Sequence, residues 1–229
     1  MYRVTMKVNT ALKYVKSYVL VALLTVLCQR AQIVGDYRGY ALPLLVALFY
    51  CRFSVGVICP CYLAICIIFD HSLFGIFYAV APVIILSVAK YLHYLFARPM
   101  RLRALICYCV LCLLPLAVLD FKVTATLDFI VYLISQIVVA LLFCVICYAV
   151  CVRGIGRKLS IDERVGGFVF LAVIASGFYS LDICGFNVYY LALGLAIPYL
   201  FRNFSFSQGA VIAGAVAVGG CLPGVNLAL

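Results

Sequence analysis

Long apolar runs separated by short polar interruptions make up almost the whole chain. The runs cover residues 17–34, 40–50, 53–69, 73–96, 104–119, 127–152, 165–181, 186–201 and 207–221. A helix needs roughly 20 apolar residues to cross about 30 Å of hydrocarbon, and the longer runs meet that length. They also lack the polar face that a soluble amphipathic helix presents. The run over 40–69 is interrupted by Arg52, and it predicts two short helices turning there, not one long kinked one. The pattern therefore predicts an all-α, polytopic integral membrane helix bundle of about nine transmembrane segments. A basic segment, residues 1–16, precedes a single transmembrane domain over 17–229.

Composition agrees. The chain has 229 residues, 69% hydrophobic and 10% charged, with a mean hydropathy of +1.26. A soluble domain of that length would need more polar surface. The net charge of +10 does not point to nucleic acid, because the basic residues stand singly or in short clusters between apolar runs. That is how cytoplasmic loops are marked. The N-terminal segment, Arg52, the cluster Arg98, Arg101 and Arg103, the loop 153–164 and Arg202 all fall on one side if two crossings separate each from the next. The N-terminus is then cytoplasmic and Leu229, after nine crossings, extracytoplasmic, as though a further span were still to come. The 13 cysteines sit mostly inside apolar runs, where thiols act as small apolar side chains, and no structural disulfide is expected.

Few polar groups stand out. Ser160 followed by Glu163 is a helix-start signature, a capping hydroxyl with a carboxylate three residues on. Arg30 lies in the outer third of the first run, where a charge must snorkel or pair, with Asp36 or Asp70 as partners. Lys90 is placed to snorkel toward the nearer interface. His71 and His93 are far apart with no ligand-spaced neighbours, so no metal site is expected. Pro43, Pro60, Pro82, Pro115 and Pro198 fall within apolar segments and predict kinks or breaks. Small residues recur in steps of four near the end, and Gly209, Ala213, Gly214 and Ala217 offer a face for helix packing or self-association. No phosphate loop, nucleophile elbow, zinc motif or acidic metal cluster is present. No catalytic residue and no cofactor are assigned.

Three stretches resemble the stage II sporulation protein E family. They are Leu23-Leu24 with Arg30-Ala31, Ile33, Gly35 and Ala41-Leu42-Pro43; Arg157-Lys158-Leu159-Ser160-Ile161-Asp162-Glu163 leading into a span; and the small-residue helix from Gly209 to Gly220. The resemblance implies the membrane module of that family without its metal-dependent serine/threonine phosphatase part. It also implies a role in anchoring, localisation and oligomerisation, no catalytic activity of its own, and cell-division or envelope proteins as partners. Arg30, Pro43, Arg157, Lys158 and Glu163 would be organising positions. A second reading is a small-solute transporter or substrate-binding membrane subunit. It requires a polar pocket lined by several of Tyr78, Ser87, Tyr108, Tyr132, Ser135 and Gln136, where an anchor would be filled with apolar side chains.

Overall fold

The computed structural model describes residues 2–34, 37–51, 53–97, 101–120, 127–154, 159–179, 181–183, 186–203 and 206–222. Among them lie nine α-helices: α1 (Tyr2–Arg30), α2 (Ala41–Tyr50), α3 (Val55–Phe69), α4 (Leu73–Leu95), α5 (Leu102–Asp120), α6 (Leu127–Tyr148), α7 (Ile161–Tyr179), α8 (Val188–Asn203) and α9 (Phe206–Cys221). Two short antiparallel hairpins join α1 to α2 and α7 to α8. They are β1 (Gln32–Val34) with β2 (Tyr37–Arg38), and β3 (Asp182–Ile183) with β4 (Phe186–Asn187). Helix α6 runs on into a π-helical turn, Ala149–Arg153.

The interruption near Arg52 does divide two helices, because α2 stops at Tyr50 and Ser54 is extended before α3 begins. The backbone of α1 is helical from Tyr2 to Arg30 without a break, so the basic segment 1–16 continues directly into the first apolar run. Nor do the prolines break their helices. Pro60 lies inside α3, and its missing N–H leaves the Gly56 carbonyl without a helical partner. The Tyr18 hydroxyl of α1 donates to that carbonyl at 2.7 Å. Pro43 sits in the first turn of α2, where the N–H has no intrahelical partner in any case.

Helix α7 is the centre of the bundle, packed by α1, α6 and α9, while α2 lies chiefly against α6. Three crossings among the described residues are close enough to demand glycine, one of them where a Cβ at Gly166 of α7 would meet the Leu142 carbonyl of α6 at 2.7 Å. A Cβ at Gly177 of α7 would run into the Leu27 carbonyl of α1, and one at Gly219 of α9 into the Ala172 carbonyl of α7. Phe143 of α6 and Phe170 of α7 meet edge to face at 4.9 Å between centroids, a pair worth about 1 kcal/mol beyond its buried area. The buried Ser176 hydroxyl of α7 binds β1 twice. It accepts from Gln32 N–H at 3.0 Å and donates to Gln32 C=O at 2.7 Å.

The expectation of nine transmembrane segments is corrected by helix length and burial. Among the described residues only Leu73–Leu95 and Phe129–Arg153 are long and apolar enough to cross a membrane. At 1.5 Å per residue, α2 spans about 15 Å and α3, α8 and α9 about 22–24 Å, less than the hydrocarbon thickness. Residues Ala41 to Phe49 of α2 are all buried by neighbouring helices, so this is a core helix and not a lipid-facing span. Helix α1 carries Lys7, Lys13 and Lys16 along its first half, and α7 opens on Asp162, Glu163 and Arg164. The multi-pass reading is overturned with the count. Leu229, whose placing on the far side followed from an odd number of crossings, lies outside the described residues.

Helix α4, by contrast, exposes an apolar stripe along its full length: Leu73, Phe77, Ile84, Val88, Tyr91 and Leu95, at steps of three, four or seven. Its 23 residues reach about 34 Å, enough for the bilayer core. Ile130, Ile134 and Val138 make a shorter exposed stripe on α6. The chain is a helical bundle with two helices that suit a membrane by length and composition, consistent with membrane association.

Candidate binding cavity

Between the end of α1, the start of α2 and the helices α3 to α6 lies a cavity of about 200 Å³. Helices α3, α4 and α6 contribute polar or aromatic groups, while Leu42 of α2 and Cys112 and Leu113 of α5 complete the lining. Tyr62, Cys66 and Asp70 follow one another at steps of four from α3, Gly75, Tyr78, Ala79 and Pro82 come from α4, and Tyr132 and Gln136 come from α6. Gln29 and Gly39 close the side toward the β1–β2 hairpin. An engineered cavity of about 150 Å³ can hold a benzene-sized molecule, so this one has room for a small solute.

The wall is held by hydrogen bonds between segments distant in sequence. The Ser135 hydroxyl donates to the Tyr132 carbonyl at 2.7 Å, so its oxygen is the acceptor for the Tyr40 hydroxyl at 2.8 Å. Burial pushes the Tyr40 hydroxyl up to about 12, which keeps it protonated as that donor. Its ring meets Tyr132 edge to face at 5.7 Å. The neighbouring Gly39 has φ +100, a conformation that glycine adopts without strain. That turn presents the Gly39 carbonyl to Gln136 Nε2 at 3.0 Å.

Gln136 is then satisfied at one end only. It is 1% exposed, and its Oε1 has no hydrogen-bond partner among the described residues. A buried polar atom left so costs about 1–3 kcal/mol, and such cases call for a specific reason. Gln136 stands nine residues into α6, about 13 Å from the helix start by its rise per residue. Asp70 is exposed at the α3–α4 turn, where the cavity reaches the surface. Its Oδ1 accepts from Ser72 N–H at 3.0 Å, and the Ser72 hydroxyl caps α4 by accepting from Gly75 N–H at 2.9 Å. A Cβ at Gly75 would collide with the Asp70 carboxylate.

Of the six residues expected to line a polar pocket, Tyr78, Tyr132 and Gln136 do so, and Ser135 braces the wall through Tyr40. Ser87 and Tyr108 do not reach it, and the Tyr108 hydroxyl instead lies 3.1 Å from His93 Nε2. Gln29, Tyr62 and Asp70 were not anticipated. The steps of four from Tyr62 through Cys66 to Asp70, and from Tyr132 to Gln136, were the signal available. Burial pushes the Cys66 thiol up to about 12, so it is not a nucleophile at neutral pH.

The other expected positions fall elsewhere. Arg30 places its guanidinium 5.9 Å from the Phe69 ring centroid. Of its two suggested partners, Asp70 bonds Ser72 and Asp36 lies outside the described residues, as do Arg157 and Lys158. Lys90 reaches from α4 to a neighbouring connection. Its ammonium donates to the Phe53 carbonyl at 3.0 Å and lies 5.4 Å from the Phe49 ring centroid, tying α4 to the α2–α3 connection. The twelve cysteines among the described residues are free thiols. Gly209 is buried, Gly214 faces open space and Ala217 is exposed. With Ala213 these residues form no common buried face, and the tight contact of α9 is the internal one at Gly219.

Comparison with family models, curated proteins and solved structures finds no match to this chain. The sporulation role implied by the resemblance finds no support there. What defines the protein is its architecture: among the described residues, a helical bundle with two membrane-length helices and a cavity of mixed polar and apolar lining.

Proposed function

We propose that the chain is a membrane-associated binding module that takes a small polar solute into the cavity between α1 and α6. The observation that carries this reading is Gln136, a buried acceptor without a partner in the wall of a space large enough for a solute. A module that served only to anchor has no use for an oxygen buried without a partner, which costs stability and returns none. The tyrosines support the reading, since they combine apolar faces with hydroxyls that fix a ligand's orientation. Binding is the proposed role, carried by the polar groups of the wall. The chain would act by holding its solute at the membrane.

The test is a screen of small amines, amides, polyols and carboxylates against the purified full chain in lipid nanodiscs, read by ligand-detected NMR. At least one class should bind to the wild type and lose at least ten-fold in affinity in Gln136→Leu. No binding by any class, or equal binding to the variant, would sink the proposal.

A further inference from the structure

Resting on that reading, we infer that the solute is a small organic cation with N–H donors, a primary ammonium compound. The lining sets Asp70, Gln29, Gln136 and three tyrosines among apolar side chains. Among the described residues Asp70 is the one charged residue in the wall. Only Oδ1 of its carboxylate is engaged, by Ser72 N–H, and Oδ2 has no hydrogen-bond partner among the described residues. Gln136, whose residue lines the space, carries a second acceptor in Oε1, enclosed within the wall. An ammonium group carries three donors and no acceptor, so it can meet such oxygens without stranding a lone pair of its own. An anionic or acceptor-only solute would leave Oε1 as it is and meet the Asp70 charge. Tyr62, Tyr78 and Tyr132 add ring faces, which attract cations through their quadrupoles.

Two basic residues bear on the potential at the site. Arg30 is near the mouth, with its guanidinium over Phe69, and Lys90 is held at the Phe53 carbonyl near the opposite end of α3. Neither belongs to the cavity wall. Arg30 opposes a cation at Asp70, so removing its charge should tighten cation binding.

Benzylamine, benzyl alcohol and benzoate share a ring and differ in the charge and donors of the head group. Their affinities for the full chain in nanodiscs are measured by titration calorimetry, with empty discs subtracting partition into lipid. Benzylamine should bind at least ten-fold more tightly than the alcohol, and benzoate more weakly than either. Asp70→Asn keeps a carbonyl acceptor for Ser72 N–H, so α4 retains its start. It should cost the amine about ten-fold and the alcohol less than two-fold. Gly75→Ala, which displaces the carboxylate without changing charge, should act in the same direction, and Arg30→Met should tighten the amine. Equal affinities for amine and alcohol, or an amine indifferent to Asp70→Asn, would overturn the inference. If neutral solutes bind and depend on Gln136, cation selectivity alone has failed. If nothing binds in this set or in the wider screen, the binding function has failed with it.

Discussion

The junction of α6 with α7 and the cavity wall each bury a polar side chain, Glu163 at 4% exposure and Gln136 at 1%. They are finished differently. Glu163 Oε1 accepts from Arg153 Nη1 at 3.2 Å and Oε2 from Ser160 N–H at 2.8 Å, while the Ser160 hydroxyl accepts from Glu163 N–H at 3.4 Å. The result is a capping box at the start of α7, tied to the π-helical end of α6 by an ion pair. Gln136 uses its amide N–H on Gly39 and leaves its carbonyl empty. Since an unmet buried acceptor costs about as much as several exposed contacts contribute, the first side chain is explained by stability. The second is what the proposed binding role would explain.

Removing each group should expose that contrast, and the largest effect belongs to Glu163. Glu163→Ala leaves the Ser160 N–H and the Arg153 guanidinium without their carboxylate and opens the first turn of α7. Loss of a cap and of a charged hydrogen bond together should cost about 2 kcal/mol. Denaturant unfolding in mild detergent, followed by circular dichroism, measures it. A cost below about 0.5 kcal/mol would mean that the junction is ornamental and that the contrast with Gln136 is empty.

Arg153 is the weaker half of the same contact. Its side chain is 51% exposed, so solvent screens the pair, and its guanidinium also lies 5.2 Å from the Tyr148 ring centroid. Arg153→Met keeps most of the packing. It should cost about 1 kcal/mol at low ionic strength and less in high salt. A loss as large as that of Glu163→Ala, and insensitive to salt, would show that Glu163 is sealed from water and depends on this one partner.

Legibility in the sequence follows the same division. The Ser160–Glu163 box is local, its spacing is fixed by the helix, and it forms where the residues predict it. The two helices either side of Arg52 were legible because one charge splits one apolar run. Gln136 meets Gly39 across 97 residues and Ser176 meets Gln32 across 144, and no spacing along the chain encodes such pairs. Span number was overestimated for another reason. An apolar helix such as α2, covered on all sides by its neighbours, has the same composition as one facing lipid. Only helix length and the exposed stripe on α4 separate the two cases. The cavity residues were half legible: Tyr132 and Gln136 interrupt an apolar helix at a step of four, but nothing along the chain shows that Tyr62 and Asp70 face them.

The smallest expected effect is the most telling. Gln136→Leu removes an amide that donates one hydrogen bond and an oxygen that receives none. The lost bond to the Gly39 carbonyl is worth about 1 kcal/mol, and Gly39 lines the cavity, where water can replace the donor. Against this stands relief from burying an unmet acceptor, of similar size. The two should nearly cancel, leaving stability within about 0.5 kcal/mol of the wild type while binding is lost. A fall of about 2 kcal/mol, comparable to Glu163→Ala, would place Gln136 among the structural groups and remove the reason for reading the cavity as a site. Stability unchanged or raised, in the same denaturant titration, is what a side chain kept for a ligand should give.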